Sequence, residues 1–274
     1  MTEIELLKKH PRAESLQIRA TLIKAYKEGI VASAGLIAHG RGETFDYILG
    51  EKTQQFALKA EKIATAMLLT SRHPVISVNG NAVALCGMEL VKLANLTNAK
   101  LEVNLFYRSN ERVAAIEKRL NDFGASDVLG VDMDAQATIH EVMSHRRNVD
   151  PRGILIADCV FVPLEDGDRA TALRKMGKKV LAVDLNPFSR TSRQASVTIV
   201  DNIVRALPKM VEEAETLRLL SPYELHEMIL YYDNEETLTE VTRLINSSLM
   251  STARGNSIPG LANSEVELFE KYGP

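Results

Sequence analysis

The chain has 274 residues, of which 45% are apolar and 25% charged, with a formal net charge of -3 at pH 7. This length can bury a large core without disulfide or metal crosslinks, and the near-neutral charge argues against a general nucleic-acid-binding protein. The two cysteines, Cys86 and Cys159, lack CxxC spacing and are predicted to be buried. With no apolar signal segment and no apolar run of about 18 residues, a reduced cytoplasmic protein without a membrane span is expected.

Apolar residues at helical spacing predict helices over residues 13–28 and 54–71, separated by a glycine-bearing turn over 35–43. Strand-like runs and helical patterns then alternate. The predicted strands are residues 75–78, 101–106, 128–131, 159–162, 179–183 and 197–200. The predicted helices are residues 82–96, 110–123, 168–176 and 203–218, followed by two more to about residue 249. This order favours an α/β fold with a mainly parallel sheet and helices on both faces.

Two connections interrupt the alternation. The connection over residues 132–158 is long, and connections of such length are often functional. The connection over residues 184–196 is too short for an ordinary crossover helix, so we expect the last two strands to pair antiparallel. Residues 1–250 are expected to form one domain, and residues 251–274, rich in Ser, Gly, Asn and Pro, a mobile tail.

Two neighbouring strand-like runs end in polar groups. One ends at Asp184, followed by Asn186 and Arg190, and the other ends at Asp201 and Asn202. Because ligands of open α/β sheets bind at the carboxyl ends of strands, these groups predict a site for a small polar molecule.

Anion-binding chemistry is indicated at two further places, although no G-x-x-x-x-G-K-[ST] or G-x-G-x-x-G motif occurs. Asn79, Gly80 and Asn81 precede a helix, where backbone N–H groups either bind a phosphate or merely form a capped turn. His39 and Arg41 lie between glycines, where the guanidinium either neutralises a phosphate or carboxylate or is a solvated surface charge. Arg108, at the end of the second strand, is equally compatible with a surface position.

Three carboxylates, Glu165, Asp166 and Asp168, follow a buried strand. They suit a hydrated Mg²⁺ that carries nucleotide phosphates, or the ammonium group of an amine substrate, or simply a helix cap. No Cys/His set with zinc spacing occurs, so the residues that would hold a metal stay unassigned.

Several long blocks of the chain resemble the archaeal phosphopantothenate synthetases, also called 4-phosphopantoate-beta-alanine ligases. The resemblance extends from about His10 to the helix near Asn246. The blocks are His10-Pro-Arg12, Ser15-Leu16, Arg19, Ala34-Gly-Leu-Ile-Ala-His-Gly-Arg-Gly-Glu43, Phe45-Asp-Tyr47, Pro74-Val-Ile-Ser-Val-Asn-Gly-Asn81, Val103-Asn-Leu-Phe-Tyr-Arg108, Val162-Pro-Leu-Glu-Asp-Gly-Asp-Arg169, Asp184-Leu-Asn-Pro187 and Thr198-Ile-Val-Asp-Asn202.

This resemblance implies a Rossmann-like homodimer that uses ATP to condense 4-phosphopantoate and β-alanine, giving 4'-phosphopantothenate, AMP and diphosphate on the way to coenzyme A. The AMP product favours an acyl-adenylate intermediate, and we expect Mg²⁺ to stabilise the negative charge that grows on diphosphate as it forms. The ATP site carried over to this chain comprises Arg19, Arg41, Asp184, Leu185, Asn186, Arg190, Thr191, Asn202 and Ile203. As catalytic candidates we assign His39, Arg41, Glu165, Asp166 and Asp168, and for the phosphate of phosphopantoate Asn79, Gly80, Asn81 and Arg108.

Two other functions are compatible with such a sheet. A nicotinamide-dependent oxidoreductase would use the same strand order, but the missing glycine fingerprint counts against it. A non-catalytic nucleotide sensor would use the same strand-end groups without turnover.

Overall fold

The computed structural model describes residues 12–132, 136–164 and 167–253. Its α-helices are α1 (Ala13–Lys27), α2 (Ser33–Leu49), α3 (Gln55–Thr70), α4 (Gly80–Thr97), α5 (Asn110–Asp122), α6 (Gly167–Lys175), α7 (Arg190–Gln194), α8 (Ile203–Leu217), α9 (Pro222–Leu230) and α10 (Asn234–Ala253). Its strands are β1 (Pro74–Val78), β2 (Lys100–Val103), β3 (Val128–Leu129), β4 (Ala137–Thr138), β5 (Asn148–Val149), β6 (Cys159–Val162), β7 (Lys179–Val183) and β8 (Val197–Ile199).

Six strands form one parallel sheet in the order β3-β2-β1-β6-β7-β8. Counting only the strands of this sheet, the order is 3-2-1-4-5-6, which is that of the doubly wound Rossmann fold. The expected Rossmann-like α/β class is therefore confirmed. The order reverses between β1 and β6, and all six strands end at the same edge of the sheet.

The sheet is buried because helices cover both of its faces. Adjacent strand residues point to opposite faces, so Ile76 packs in a core cluster with α3, α4 and α8, whereas its neighbour Val75 packs in a second cluster with α6. Every residue of β1 and β6 is buried, as expected for central strands of a parallel sheet. Cys86 and Cys159 are buried in this core, as predicted, and burial raises the pKa of the Cys159 thiol to about 12.

The glycine-bearing turn predicted over residues 35–43 is wrong, because these residues lie inside α2. Glycine destabilises a helix by about 1 kcal/mol relative to alanine, but tertiary packing overrides that preference here. A Cβ at Gly35 would lie 2.3 Å from Asn81 Oδ1, so the missing side chain permits the close approach of α2 to the start of α4. The helix instead ends at Gly50, whose φ of 88° needs glycine.

The predicted antiparallel pairing of the last two strands is also wrong. β7 and β8 pair in parallel, with Leu181 opposite Val197. The five-residue helix α7, capped by the Ser189 side chain, makes the crossover in the short connection. The second predicted strand ends at Val103 rather than at residue 106.

The long connection before β6 contains structure of its own. β4 and β5 form an antiparallel pair, with Ala137 opposite Val149, and a short 3₁₀ helix spans His145–Arg147. The last described helix ends at Ala253, and most of the expected tail lies outside the described residues. Within the described ranges, none of the helices is long and apolar enough to span a membrane.

Candidate active site

A cavity of about 630 Å³ lies at the edge of the sheet where the strands end. Its walls come from the segments that follow β1, β2, β7 and β8 and from α2. The volume falls in the range of small-molecule sites. Many of the residues proposed from the sequence line it together: His39, Arg41, Asn79, Gly80, Asn81, Asp168, Asp184, Leu185, Asn186, Arg190, Asn202 and Ile203.

Three proposed residues do not line this cavity. Thr191 is fully buried in α7, and Arg108 donates from Nη2 to the carbonyl of Gly130 at 2.8 Å. Arg19 is held by Glu43, with Nη2–Oε2 and Nε–Oε2 distances of 2.7 and 3.1 Å. Glu165 and Asp166 lie outside the described residues.

Glu43, on α2, is the centre of a cluster of charges at the cavity wall. Arg12 binds the same carboxylate at 3.0 Å, and the Ser15 hydroxyl also donates to it. Burial acts to raise the pKa of Glu43, but the hydrogen bonds from Arg19 and Ser15 outweigh it and hold the pKa below its usual value. Glu43 is therefore ionised at neutral pH and pairs with Arg19, which does not line the cavity.

His39 lies one helical turn before Glu43 and also lines the cavity. Burial lowers the pKa of its imidazole, and this effect outweighs the opposing influence of the Glu43 carboxylate. At neutral pH the ring is therefore uncharged and can both donate and accept a hydrogen bond.

The start of α4 is built for close packing. The Asn79 side chain accepts from the backbone N–H of Ala82 at 3.0 Å and caps the helix. Asn81 Nδ2 donates to the carbonyl of Gly35 at 2.8 Å and so ties this helix start to α2. A Cβ at Gly80 would lie 2.1 Å from the carbonyl oxygen of Ile30, which explains the glycine by packing alone.

The loop after β7 is ordered by Asp184. Its carboxylate accepts from the backbone N–H of Asn186 at 2.9 Å and from the Ser189 hydroxyl. The next helix, α7, then begins with Arg190, whose Nη1 lies 2.9 Å from Asp168 at the start of α6. This pair brings the loop after β7 beside the helix that follows β6. Gly42 of α2 is close to the same loop, because a Cβ there would lie 3.7 Å from Leu185 Cδ1.

The arrangement combines guanidinium, amide and helix N-terminal N–H groups with a few carboxylates around one cavity. Such a set suits a ligand with several phosphate or carboxylate groups. No three His, Cys, Asp or Glu side chains within the described ranges form a group that could hold a metal ion.

Comparison with known proteins decides the family. The phosphopantothenate/pantothenate synthetase family matches residues 56–248. The chain belongs to this family. Proteins named 4-phosphopantoate-beta-alanine ligase are similar over most of its length. The one from Thermococcus kodakarensis is 48% identical over 91% of this chain and 95% of its own. The one from Methanosarcina mazei is 47% identical over 89% of this chain and 95% of its own. The one from Methanospirillum hungatei is 51% identical over 72% of this chain and 80% of its own.

The structure adds two arginines to the cavity wall that the sequence did not assign to the site. Arg112 of α5 and Arg146 of the 3₁₀ helix line the cavity with Phe106 and Tyr107. The Arg146 guanidinium lies 5.9 Å from the centre of the Phe106 ring. The only signal for Arg146 in the sequence was the length of its connection.

A buried polar network holds the connection that carries Arg146 in place. Arg169, 2% exposed, donates to Asn104 Oδ1 at 2.7 Å, and Asn104 Nδ2 donates to the carbonyls of Arg146 and Asn148. Beside it, Glu102 accepts from the backbone N–H of Ile154 at 2.6 Å. Burial raises the pKa of Glu102 to about 7, against the opposing effect of its backbone hydrogen bonds. Arg146 therefore reaches the cavity from a segment fixed through its backbone.

Proposed function

We propose that the chain is an ATP-dependent ligase that joins 4-phosphopantoate to β-alanine, giving 4'-phosphopantothenate, AMP and diphosphate. Membership of the synthetase family supports this reaction class, as do the names of the relatives. The single observation that carries the proposal is that Arg41, the Asp184 loop and Asn202 line one cavity at the strand ends.

We assign the ATP nucleoside to the end of the cavity at β7 and β8. Asp184, Asn186 and Asn202 offer oxygen and amide groups there, and Asn202 begins α8. Arg41 is our first candidate for the phosphates, because its side chain lines the cavity from α2. Arg19 would join it only if Glu43 released its guanidinium.

The other end of the cavity, at β1 and β2, is our proposed site for 4-phosphopantoate. The N-terminus of α4 supplies N–H groups and a favourable dipole for the phosphate. Arg112 and Arg146 line this part of the wall, with Arg112 also donating to the carbonyl of Tyr107, whereas Arg108 donates to the carbonyl of Gly130 and does not line the cavity. We therefore assign the phosphate-binding role first expected of Arg108 to Arg112 and Arg146.

The first chemical step forms an acyl-adenylate. A carboxylate oxygen of 4-phosphopantoate attacks the α-phosphorus of ATP, a P–O bond forms, and diphosphate leaves. Negative charge grows on the departing diphosphate, and preorganised guanidinium groups stabilise it. A bound Mg²⁺ would neutralise phosphate charge; of the described residues, Asp168 is the candidate to hold its water ligands, since it lines the cavity and its side chain is half exposed.

The second step forms the amide. The uncharged amine of β-alanine attacks the acyl carbon, the C–O bond to AMP breaks, AMP leaves with the former carboxylate oxygen, and the new amide nitrogen releases a proton to solvent or to a nearby base. The amine must first lose a proton from its ammonium form. Asp168 and the uncharged His39 are the described candidates to orient the amine or accept that proton, and Glu165 and Asp166 stay sequence-based candidates.

A homodimer in the cytoplasm belongs to the same proposal. The homodimer rests on the family resemblance alone. The compartment is inferred from the two buried free thiols.

The test is incubation of the purified protein with ATP, 4-phosphopantoate and β-alanine, followed by mass detection of 4'-phosphopantothenate and AMP. We expect both products in equal amounts, and neither when any one substrate is omitted. ATP binding without turnover would favour the nucleotide sensor, and an absorbance change with a nicotinamide cofactor would favour the oxidoreductase. Either result would overturn the ligase assignment.

A further inference from the structure

Arg205, near the start of α8, lies between two buried carboxylates from different parts of the chain. Its Nη2 is 2.5 Å from Asp46 Oδ1 and 2.6 Å from Asp201 Oδ1. Its Nε also donates to Asp201 Oδ1 at 2.9 Å. The side chains of Asp46 and Asp201 are 6% and 1% exposed. Water therefore does little to screen these charges, and the guanidinium is their main counter-charge.

The same two carboxylates hold Asn202. Its side-chain Nδ2 donates to Asp46 Oδ2 at 2.7 Å, and its backbone N–H donates to Asp201 Oδ1 at 2.7 Å. Thr53, in the loop between α2 and α3, donates to Asp201 Oδ2 at 2.6 Å. Asn202 is thus fixed at both its side chain and its backbone by groups that Arg205 holds together.

This network joins two walls of the cavity. Asp46 belongs to α2, the helix that carries His39 and Arg41, and Asp201 and Asn202 follow β8. Arg205 itself is not among the described residues that line the cavity. Any effect of Arg205 on a ligand must therefore pass through Asp201, Asn202 or α2, because Asp201 and Asn202 line the cavity.

We propose that Arg205 is a positioning residue for the nucleoside end of the active site, acting through Asp46 and Asn202. Without the guanidinium, Asp46 and Asp201 would be two buried like charges close together, and their repulsion would separate α2 from the strand end. The inference rests on the proposed function, because it takes ATP to bind at β7 and β8. The 4-phosphopantoate site, at β1 and β2, lies away from this network and should be affected far less.

The test compares Arg205→Gln and Arg205→Lys with the unmodified protein by steady-state kinetics on folded samples. We expect Arg205→Gln to raise KM for ATP about tenfold or more, because small misplacements of binding groups are costly. KM for 4-phosphopantoate should change less than about twofold, because sites that do not share contacts are only weakly coupled. Arg205→Lys keeps the charge but cannot bridge both carboxylates equally well. Its KM for ATP should therefore lie between the values for the unmodified protein and for Arg205→Gln.

Two further variants separate positioning from stability. Leu225→Ala opens the small core cluster beneath α9, which contains no cavity residue, and lowers the melting temperature without altering either KM. Asp46→Asn removes the charge that pairs with Arg205 and leaves one acceptor oxygen for both Arg205 and Asn202, so it should also raise KM for ATP selectively, even if Arg205→Gln does not fold. Equal rises in both KM values, or an unchanged KM for ATP in folded Arg205→Gln or Asp46→Asn, would overturn the proposal. Failure of the proposed function would show separately, as the absence of 4'-phosphopantothenate with the unmodified protein.

Discussion

Arg41 lies in α2 and Arg19 in α1, and the two guanidinium groups have different surroundings. Arg19 is bound to Glu43 by both its Nε and its Nη2, whereas the Arg41 side chain lines the cavity. A charge-assisted contact with a ligand phosphate contributes more than a neutral hydrogen bond. Arg41 is therefore the main candidate for stabilising the transition state.

Replacing Arg41 by alanine should remove one charge-assisted contact, which is worth roughly 1.5 to 3 kcal/mol. We expect kcat/KM to fall roughly ten- to hundredfold, with the fold intact. The matched control is Arg72→Ala, an exposed arginine before β1, at the opposite edge of the sheet. An unchanged kcat/KM in folded Arg41→Ala would contradict the phosphate role.

Asp184 tests the assignment of the ATP nucleoside to the loop after β7. Its carboxylate orders the loop after β7 through Asn186 and Ser189. We expect Asp184→Ala to weaken ATP far more than 4-phosphopantoate, because that loop forms only the nucleoside end of the cavity. Calorimetric titration of each ligand measures the two affinities, and a larger loss for 4-phosphopantoate would refute the assignment.

The helix α3 carries a buried carboxylate, Glu61, near Asp201 and Arg205. Glu61 is 0% exposed, and neither of its oxygens makes a hydrogen bond in the described part of the chain. Burial and, secondarily, the negative charge of Asp201 raise its pKa to about 8. The folded protein therefore keeps a proton that the unfolded chain releases near its ordinary pKa of 4.5.

This difference makes stability depend on pH. Between the two pKa values the unfolded state binds fewer protons, so the free energy of unfolding falls as pH rises, by up to about 1.4 kcal/mol per pH unit. Glu61→Gln removes this contribution and should gain stability over the unmodified protein from about pH 5 to about pH 8. Denaturant titrations at several pH values measure it, with the exposed Glu215→Gln as control. If the difference in stability between Glu61→Gln and the unmodified protein stayed constant with pH, the raised pKa of Glu61 would be excluded.

Most elements were predictable because their determinants are local. Each core strand is a short apolar run, and α5 shows its apolar face at helical spacing, so strand and helix order followed from the sequence. The errors arose where contacts distant in sequence decide. Gly35 is helical because α2 packs against Asn81, and β8 is parallel because a capped five-residue helix completes its crossover.

The same distinction holds for the site. The positions of Asp184 and Asn202 at the cavity were predictable, since both lie at the end of a strand-like run. The position of Arg146 was not predictable, because it depends on hydrogen bonds that involve Asn104 and Arg169. Asn104 follows β2 and Arg169 lies in α6, so both are distant from Arg146 in sequence. The pairing of Arg205 with Asp46 joins residues 159 positions apart and leaves no trace in local spacing.

For the whole molecule, the parallel sheet places the proposed ATP and 4-phosphopantoate sites in one cavity. All six strands end at one edge, and the cavity there extends from the segment after β2 to the segment after β8. ATP at one end and 4-phosphopantoate at the other would bring a carboxylate to the α-phosphorus without a large domain movement. Holding reactants in this way can contribute several kcal/mol to catalysis.

The measurement that tests this account most directly uses 4-phosphopantoate labelled with ¹⁸O in its carboxylate, incubated with ATP, β-alanine and the purified protein. Because the carboxylate oxygen attacks the α-phosphorus, we expect one ¹⁸O atom in each AMP, in step with 4'-phosphopantothenate formation. Label in inorganic phosphate together with ADP, or amide formation with unlabelled AMP, would contradict the account.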